Sequence, residues 1–469
     1  MKYSSSILLA SACWASAALI QQCSTGDGLP VKADLTEDLN NRYCGAVNQI
    51  LYENVSRSGS FKAVTGMSSN GECRKEDKAY GGPMAPFDAG LSLHFRGPLH
   101  LKQIAVYNLA SKTKRDELEL ETEQKVDDET KASPKVAARH NRGHKHLHRA
   151  HVGKRADIVT ATIDGKVVTW ENNWFGGAPT DKPAAPSAPA VQAGAGAAVH
   201  SNKKTGNDAK PKSKFVPSGS DWDRVAYYNA KDQTANNVMF MGNYGGQGSG
   251  AWSSTWGNSL AYLNAQGTGG SSSPQTLKDI YIPSNKEFSV FSAEKCDSSC
   301  GFSLAPDVAY KGFSGASKIF LFEFKMPLDG KRCPDGGYSC PGLAPDMPAV
   351  WALNDAIPHA AQYNACSCWD SGCGEFDIFE VLSPGNKRCI TAFHMDNDAR
   401  SLDYFDRPVD KFIKVAAIFH GKSGSIAVKK LSDRVDFSKG LDDGTVLGWL
   451  NRPMDEVESK LSSLFQMPS

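Results

Sequence analysis

One stretch decides the fold of this chain: WDSGCGEFDIFEVL, residues 369–382. Its central part alternates acidic and apolar residues, which favours a β-strand because successive strand side chains point to opposite faces. Glu375 and Asp377 then share one face, and Phe376 between them points the other way into a core. We therefore predict a strand with one charged and one apolar face.

The third carboxylate of this stretch does not fit that alternation. Strict alternation would put Glu380 on the apolar face with Ile378, where an unpaired carboxylate is unfavourable. One extra residue removes the conflict, because a β-bulge shifts all later side chains to the other face. We therefore expect a bulge at Ile378 and Phe379, with Glu380 beside Glu375 and Asp377.

Three carboxylates on one face suit the cleavage of a glycosidic bond. Their mutual repulsion keeps some of them protonated at neutral pH. One carboxylate can attack the anomeric carbon while a second, protonated one donates its proton to the leaving oxygen, and the third supports the nucleophile. A charged edge strand or a calcium site is the alternative interpretation, because carboxylate clusters also bind calcium.

Strand-like runs continue on both sides of this stretch, from residue 221 to the C-terminus. Turn residues separate them and helical patterns are few, which favours an all-β sandwich or jelly roll. The tail is the exception, because apolar residues from Met454 to Leu464 recur at helical spacing. The strand-like runs are 238–241, 280–282, 288–291, 319–326, 349–353, 376–382, 390–395, 412–419 and 425–431.

Composition divides the rest of the chain. Lys2, an apolar run and the small residues Ala15-Ser16-Ala17 are typical of a signal peptide and its cleavage site. Two later segments have too little apolar surface to fold and are predicted to be disordered linkers. The predicted order is a signal peptide (1–20), a small cysteine-bearing β-rich N-terminal domain (21–110), a charged His-rich linker (111–157), a short β-like island (158–178), an Ala/Pro/Gly/Ser linker (179–220) and a catalytic domain (221–469) that folds alone.

The cysteines are interpreted through secretion. Of the twelve cysteines, Cys13 falls within the signal peptide, so the mature chain keeps an odd number. An oxidising compartment favours disulfides over zinc binding, although the pairing is not readable from sequence. Cys366, Cys368, Cys373 and Cys389 lie near the carboxylates, and bridges there are expected to restrain the Gly- and Ser-rich loop before Glu375.

Charge and hydropathy limit the partners. The formal net charge of +1 implies no general attraction to nucleic acid or to a membrane surface. After the signal peptide, no segment has the length and apolar character of a spanning helix. The residues imply no cofactor and no nameable set of metal ligands. Asn54-Val55-Ser56 forms an acceptor motif for N-glycosylation, as expected on a secreted protein.

A resemblance to known enzymes rests on two segments. GEFDIFE, residues 374–380, follows Trp369 and resembles the catalytic strand of glycoside hydrolase family sixteen in its bulged, laminarinase-like form. MPAVWAL, residues 347–353, is similar to the W-P-A-x-W-x-L strand of the same family, with Met347 in place of the first Trp. One additional residue, Cys373, distinguishes this chain between Trp369 and the first Glu.

The whole chain is more similar to a fungal cell-wall family, the TOS-type glucanases. The resemblance rests on CSCWDSGCGEFD, residues 366–377, and on the cysteine-bearing region before it. It implies a lectin-like jelly-roll sandwich, secretion to the cell wall, and retaining hydrolysis of internal β-1,3-glucan linkages. Carried over residue by residue, it implies Glu375 as nucleophile, Glu380 as acid/base and Asp377 as helper.

Aromatic side chains form the other half of a sugar site, because pyranose faces stack on rings. Trp351 and Trp369 are the candidates for stacking, and His394 on the following strand is a candidate to line the site. The alternative for each Trp is an ordinary core aromatic, and a lone His is more often structural. Two rival functions remain. One is a glucan transglycosylase that uses the same carboxylates, and the other is a non-catalytic wall protein that binds glucan.

Overall fold

The structure, a computed structural model, describes residues 19–20, 43–110, 158–163, 166–171, 221–336, 342–395, 399–451 and 461–467. Most of the predicted signal peptide and both predicted linkers lie outside the described residues. Within the predicted β-like island, two strands pair antiparallel.

β-Strands dominate the described chain and helices are short, which confirms the all-β prediction. The helices are α1 (Ala356–His359), α2 (Asp443–Leu450) and 3-10 turns at Ser298–Cys300, Pro306–Val308 and Trp369–Ser371. The strands are β1 (Leu19–Ile20), β2 (Gln49–Glu53), β3 (Gly59–Met67), β4 (Cys73–Tyr80), β5 (Leu91–Arg96), β6 (Leu99–Leu109), β7 (Ile158–Ile163), β8 (Lys166–Glu171), β9 (Trp222–Asn229), β10 (Thr234–Asn236), β11 (Met239–Gly242), β12 (Trp252–Ser253), β13 (Gly257–Asn258), β14 (Ala261–Leu263), β15 (Gly270–Ser271), β16 (Tyr281–Ile282), β17 (Glu287–Phe291), β18 (Lys318–Lys325), β19 (Ala349–Asn354), β20 (Glu375–Glu380), β21 (Arg388–His394), β22 (Ala399–Arg400), β23 (Phe405–Asp406), β24 (Ile413–His420), β25 (Ser425–Leu431) and β26 (Ser462–Gln466).

Two large sheets account for most of the described strands. The front sheet has the order β1-β22-β21-β20-β19-β5-β17-β11-β14-β15, with β23 beside β21. The back sheet has the order β10-β9-β6-β18-β24-β25-β2-β26, with β16 beside β6. The hairpins β3–β4, β7–β8 and β12–β13 pair outside both sheets.

The hydrophobic core lies between the two sheets. Aromatic rings from opposite sheets meet there: Phe95 contacts Phe322 at 6.0 Å, and Phe379 contacts Phe324 at 5.5 Å between ring centroids. All four rings belong to one buried apolar cluster. The molecule is therefore a β-sandwich, while the lectin-like jelly-roll order of its strands stays a prediction.

The N-terminal region is β-rich, as predicted, but its strands lie inside the sheets of the C-terminal region. Strand β5 lies between β19 and β17, β6 lies between β18 and β9, and β2 lies between β25 and β26. This corrects the expectation that residues 221–469 fold alone, because backbone hydrogen bonds join the two regions across both sheets. Local sequence patterns cannot reveal such long-range pairing.

Residues 111–220 connect two neighbouring strands of the back sheet. The N–H of Ala110 donates to the carbonyl of Asp221 at 2.8 Å, and Leu109 of β6 is in register with Trp222 of β9. The chain thus leaves and re-enters the sandwich at one point.

The C-terminal tail also differs from the sequence prediction. Helical spacing was expected as far as Leu464, but Ser462–Gln466 forms β26, which runs parallel to β2. Phe465 packs on Tyr52 at 5.4 Å between ring centroids. Tertiary pairing with β2 therefore determines the structure of this segment. Residues 452–460 lie outside the described residues.

Candidate active site

The predicted bulge in β20 is confirmed from both neighbouring strands. On β21, Ala392 pairs with Asp377 and Ile390 pairs with Glu380, so β20 carries one more residue than its partner between these pairs. On β19, the register shifts between Val350 and Trp351. The cause is the one inferred from the sequence, since the bulge keeps a carboxylate out of the core.

The bulge places the three carboxylates on the outer face of the front sheet. Ile378 and Phe379 both enter the core, which returns the following side chain to the outer face. Glu375, Asp377 and Glu380 are 1%, 2% and 2% exposed. Such burial makes their hydrogen bonds and mutual charges strong, because the local dielectric is low.

Glu375 is held by the loop before its strand. The indole N–H of Trp369, on the 3-10 turn, donates to Oε2 of Glu375 at 2.5 Å. Gly374, directly before Glu375, has φ of 113°, a conformation that L-residues with a Cβ rarely adopt. Glycine at that position therefore lets the loop turn sharply into the strand and present Trp369 to the carboxylate.

Asp377 lies between the other two carboxylates and next to an imidazole. Nε2 of His394 is 3.0 Å from Oδ2 of Asp377. Burial raises the pKa of the Asp377 carboxyl well above its usual range, and the charges of Glu380 and Glu375 add to the rise, while His394 opposes it. Asp377 therefore tends to hold a proton, which lowers the repulsion within the row.

Glu380 contacts a residue that the sequence analysis did not select. Nη2 of Arg96, on β5, lies 3.3 Å from Oε1 of Glu380, and Nε of Arg96 donates to the carbonyl of Met347 at 2.8 Å. The sequence analysis assigned no catalytic or substrate-binding residue to residues 21–110. The signal was present in LSLHFR, residues 91–96, where His94 and Arg96 alternate with apolar residues.

Aromatic rings extend the site across the sheet. Trp351 is in register with Asp377 on one side and with His94 on the other, and its ring stacks on His94 at 5.2 Å between centroids. Trp369 is half-buried and lies 5.5 Å from the His394 ring. The structure thus brings the predicted residues Trp351, Trp369 and His394 together with the carboxylates.

The hairpin β3–β4 bounds the outer face at the Glu375 end. Phe61 of this hairpin shares an apolar cluster with Trp351 and Leu353. A disulfide joins Cys73 to Cys366, which lies in the loop that leads to β20. This part of the N-terminal region therefore supports the loop that positions Glu375.

The described disulfides match part of the sequence expectation. Cys368 is bonded to Cys373 within the loop before β20, and Cys73 is bonded to Cys366. Cys389 is a correction, because it is a buried free thiol whose pKa is raised to about 12 by burial. It lies in strand β21, packed in the core, and does not restrain the loop.

A cation is the other conceivable occupant of the carboxylate row. Glu375, Asp377 and His394 offer ligand atoms within 4.8 Å of one another. Calcium prefers six to eight oxygen ligands, whereas one of these donors is an imidazole nitrogen. Nε2 of His394 is also already paired with Asp377. The donor set therefore does not fit the calcium site considered from the sequence.

The disulfide Cys368–Cys373 gives a testable prediction about positioning. On the β-glucan substrate that the resemblance implies, replacing both cysteines with alanine should lower kcat/KM by about tenfold to a hundredfold, because small displacements of a reacting group, here Glu375 by that resemblance, have effects of that size. Activity and melting temperature are measured together.

The matched control is Cys296–Cys300, whose two cysteines both lie outside the loop before β20. The two bridges have sequence separations of 5 and 4, so their effects on the unfolded chain are nearly equal. The control variant should lose similar stability and keep its activity. Equal losses of activity in both variants would contradict a positioning role.

The fold and site define a class of protein: a disulfide-bonded, all-β sandwich with an acidic site on the outer face of one sheet. Residues 220–449 match the family described as cell wall protein YJL171C/Tos1, C-terminal, and residues 48–109 match its N-terminal counterpart. The chain belongs to this Tos1/YJL171C family of cell wall proteins. The predicted family resemblance and the predicted cell-wall location are thereby confirmed.

Relatives from several fungi are similar over most of their length. A protein of Arthroderma benhamiae named "Probable circularly permuted 1,3-beta-glucanase" is 38% identical over 90% of this chain and 92% of its own. Two further relatives carry the same name followed by TOS1. The one from Candida albicans is 34% identical over 96% of this chain and 98% of its own. The one from Saccharomyces cerevisiae is 36% identical over 90% of this chain and 94% of its own.

No solved structure matches this chain. In the part of the chain that the structure describes, the helices lack the length and apolar character needed to cross a membrane.

Proposed function

We propose that this protein is a secreted cell-wall glycosidase that hydrolyses internal β-1,3-glucan linkages by a retaining double displacement. One observation carries the proposal: the bulge in β20 places Glu375, Asp377 and Glu380 on one face. The family's cell-wall description and the glucanase names of the relatives support the substrate class.

The contacts of each carboxylate suit one step of that mechanism. Glu375 attacks the anomeric carbon, and the indole N–H of Trp369 holds one of its oxygens. Glu380 protonates the leaving oxygen and later activates water. Asp377, with its raised pKa, donates a hydrogen bond within the row and limits the negative charge around the nucleophile.

Trp351 is a proposed substrate-binding residue on the front sheet, although it is 1% exposed and a sugar could reach it only after neighbouring side chains move. Trp351 stacks on His94 beside Asp377, and its indole nitrogen is buried without a hydrogen-bond partner among the described residues. A buried donor of this kind is satisfied when a sugar hydroxyl accepts from it. Trp369 and His394 are the other proposed substrate-binding residues.

The strand order is consistent with a permuted chain. The first strand of the back sheet along the chain, β2, lies beside the last, β26, so the chain enters and leaves the back sheet at adjacent strands. Adjacent ends are what circular permutation requires. The relatives are named circularly permuted, and we extend that description to this chain.

Secretion and glycosylation belong to the same proposal. The predicted signal peptide, residues 1–20, would direct the chain into the secretory pathway, and its removal would take β1 (Leu19–Ile20) from the edge of the front sheet. Asn54 is exposed and thus accessible to an N-linked sugar, although its side-chain nitrogen donates to Oε1 of Gln466 at 3.0 Å. Attachment of a sugar would change that contact at the edge of the back sheet.

Product analysis separates this function from its rivals. The purified protein is incubated with laminarin, lichenan and chitin, with and without long acceptor oligosaccharides. We expect short β-1,3-oligosaccharides from laminarin, initially with retained anomeric configuration. Elongated acceptors without net release of reducing ends would indicate a transglycosylase, and binding without new products would indicate a non-catalytic wall protein.

A further inference from the structure

We propose that Arg96 is a positioning residue for Glu380, and that Glu287 sets the protonation of Glu380 by balancing the charge of Arg96. This inference rests on the proposed function, in which Glu380 is the acid/base. The two residues are Arg96, from the N-terminal region, and Glu287, on β17, and both lie outside the row of Glu375, Asp377 and Glu380.

Four residues on four neighbouring strands are in register with one another and form a line across the front sheet. Glu380 of β20 is in register with Ala349 of β19, Ala349 with Arg96 of β5, and Arg96 with Glu287 of β17. Side chains in register lie on the same face. Because Ala349 has only a methyl group, the Arg96 side chain can extend over β19 and reach Glu380.

Arg96 contacts a carboxylate on each side. Nη2 lies 3.3 Å from Oε1 of Glu380, and Nη1 lies 3.7 Å from Oε1 of Glu287. The side chains of Arg96 and Glu380 are 5% and 3% exposed, while that of Glu287 is 25% exposed. The Tyr363 hydroxyl donates to Oε2 of Glu287, which favours the ionised form of Glu287.

Other charged and titratable groups also surround Glu380, Arg96 and Glu287. On its own strand Glu380 has Asp377 and Glu375 as charged neighbours, and Arg96 is the cation in direct contact with it among the described residues. The groups on neighbouring elements are His94 on β5, Glu287 on β17, His394 and Arg388 on β21, and Asp346 in the loop before β19, whose carboxylate pairs with Arg407.

Two opposing requirements explain the pair. A general acid must hold a proton when the leaving oxygen departs, but an adjacent guanidinium favours the ionised carboxylate. Glu287 offsets the guanidinium charge, so Arg96 can orient Glu380 by hydrogen bonding without removing its proton at working pH. Arg96 therefore orients Glu380, while Glu287 offsets the positive charge of Arg96.

The test is the pH dependence of kcat/KM on laminarin, whose basic limb reports the acid of the free enzyme. Glu287→Gln removes the negative charge that offsets the Arg96 guanidinium. The uncompensated positive charge favours the ionised form of Glu380, so the basic limb should move to lower pH by about one unit. Arg96→Gln removes the cation, so the same limb should move up, with a lower maximum because Glu380 loses its orientation. Arg96→Lys should restore the position of the limb in part.

The matched control is Glu323→Gln in the back sheet. Glu323 pairs with Lys102 at 3.1 Å. Its neighbours Phe322 and Phe324 enter the core, so the Glu323 side chain points to the opposite face of the back sheet, and its removal should leave both limbs unchanged. The inference would be overturned if the Glu287→Gln and Arg96→Gln variants were active and neither shifted the basic limb. It would also be overturned if both variants shifted the limb in the same direction. An inactive wild-type protein that binds glucan would instead reject the proposed function.

Discussion

Glu375→Gln and Glu380→Gln are each expected to lower kcat on laminarin by about a thousandfold, an effect typical of removing a catalytic acid/base or nucleophile. Both replacements keep the side-chain shape. In Glu375→Gln, the oxygen of the new amide would still accept the hydrogen bond from Trp369, so the bulged strand should remain intact. Near-UV circular dichroism and the melting temperature check the fold beside the activity.

The two variants should differ on a substrate with a good leaving group. An aryl β-glucoside oligomer needs little protonation of its leaving oxygen, so Glu380→Gln should regain much of its first-step rate there. Glu375→Gln should stay inactive, because the amide of the new side chain cannot form the covalent glycosyl-enzyme. Near-normal turnover of either variant on laminarin would show that its assigned role is wrong, and the reverse pattern on the aryl substrate would exchange the two roles.

Residues 221–469 expressed alone are expected to be insoluble or unfolded. Without the N-terminal region, the front sheet loses β5 from between β19 and β17, and the back sheet loses β6 and β2. These strands contribute buried residues such as Phe95 and Ile104 to the core. The loss of several core residues of this kind exceeds the usual stability of a domain.

A second variant keeps this prediction testable. Replacing residues 111–220 with a short Gly-containing turn should leave a folded, active protein, because Ala110 and Asp221 are already hydrogen-bonded neighbours. Solubility, circular dichroism and laminarin hydrolysis are compared with the full chain. A folded, active 221–469 fragment would contradict the interleaved sheets, and so would a shortened chain that cannot fold.

The strand at the site was predictable because its determinants are local. Alternation in residues 375–377 defines two faces, and the cost of burying Glu380 requires one extra residue in the strand. Both facts concern neighbours in sequence. The bulge at Ile378 and Phe379 and the common face of the carboxylates could therefore be inferred before any pairing was known.

The partners of those carboxylates were partly predictable. Trp369 is close in sequence and was selected, and His394 lies on the adjacent strand β21. Arg96 was missed, because its contact with Glu380 joins residues 284 positions apart. The bridge from Cys73 to Cys366 has a separation of 293, and it was equally unreadable.

The sequence by itself determined the all-β class, the bulged strand, the row of three carboxylates and the family resemblance, because each depends on side-chain chemistry within short segments. Tertiary structure decided which strands are neighbours. It alone placed β5 beside β19, paired β26 with β2 and brought Arg96 to Glu380. The physical reason is that a strand's hydrogen-bonding edges are the same for every partner, so pairing is selected by the assembly of the whole core.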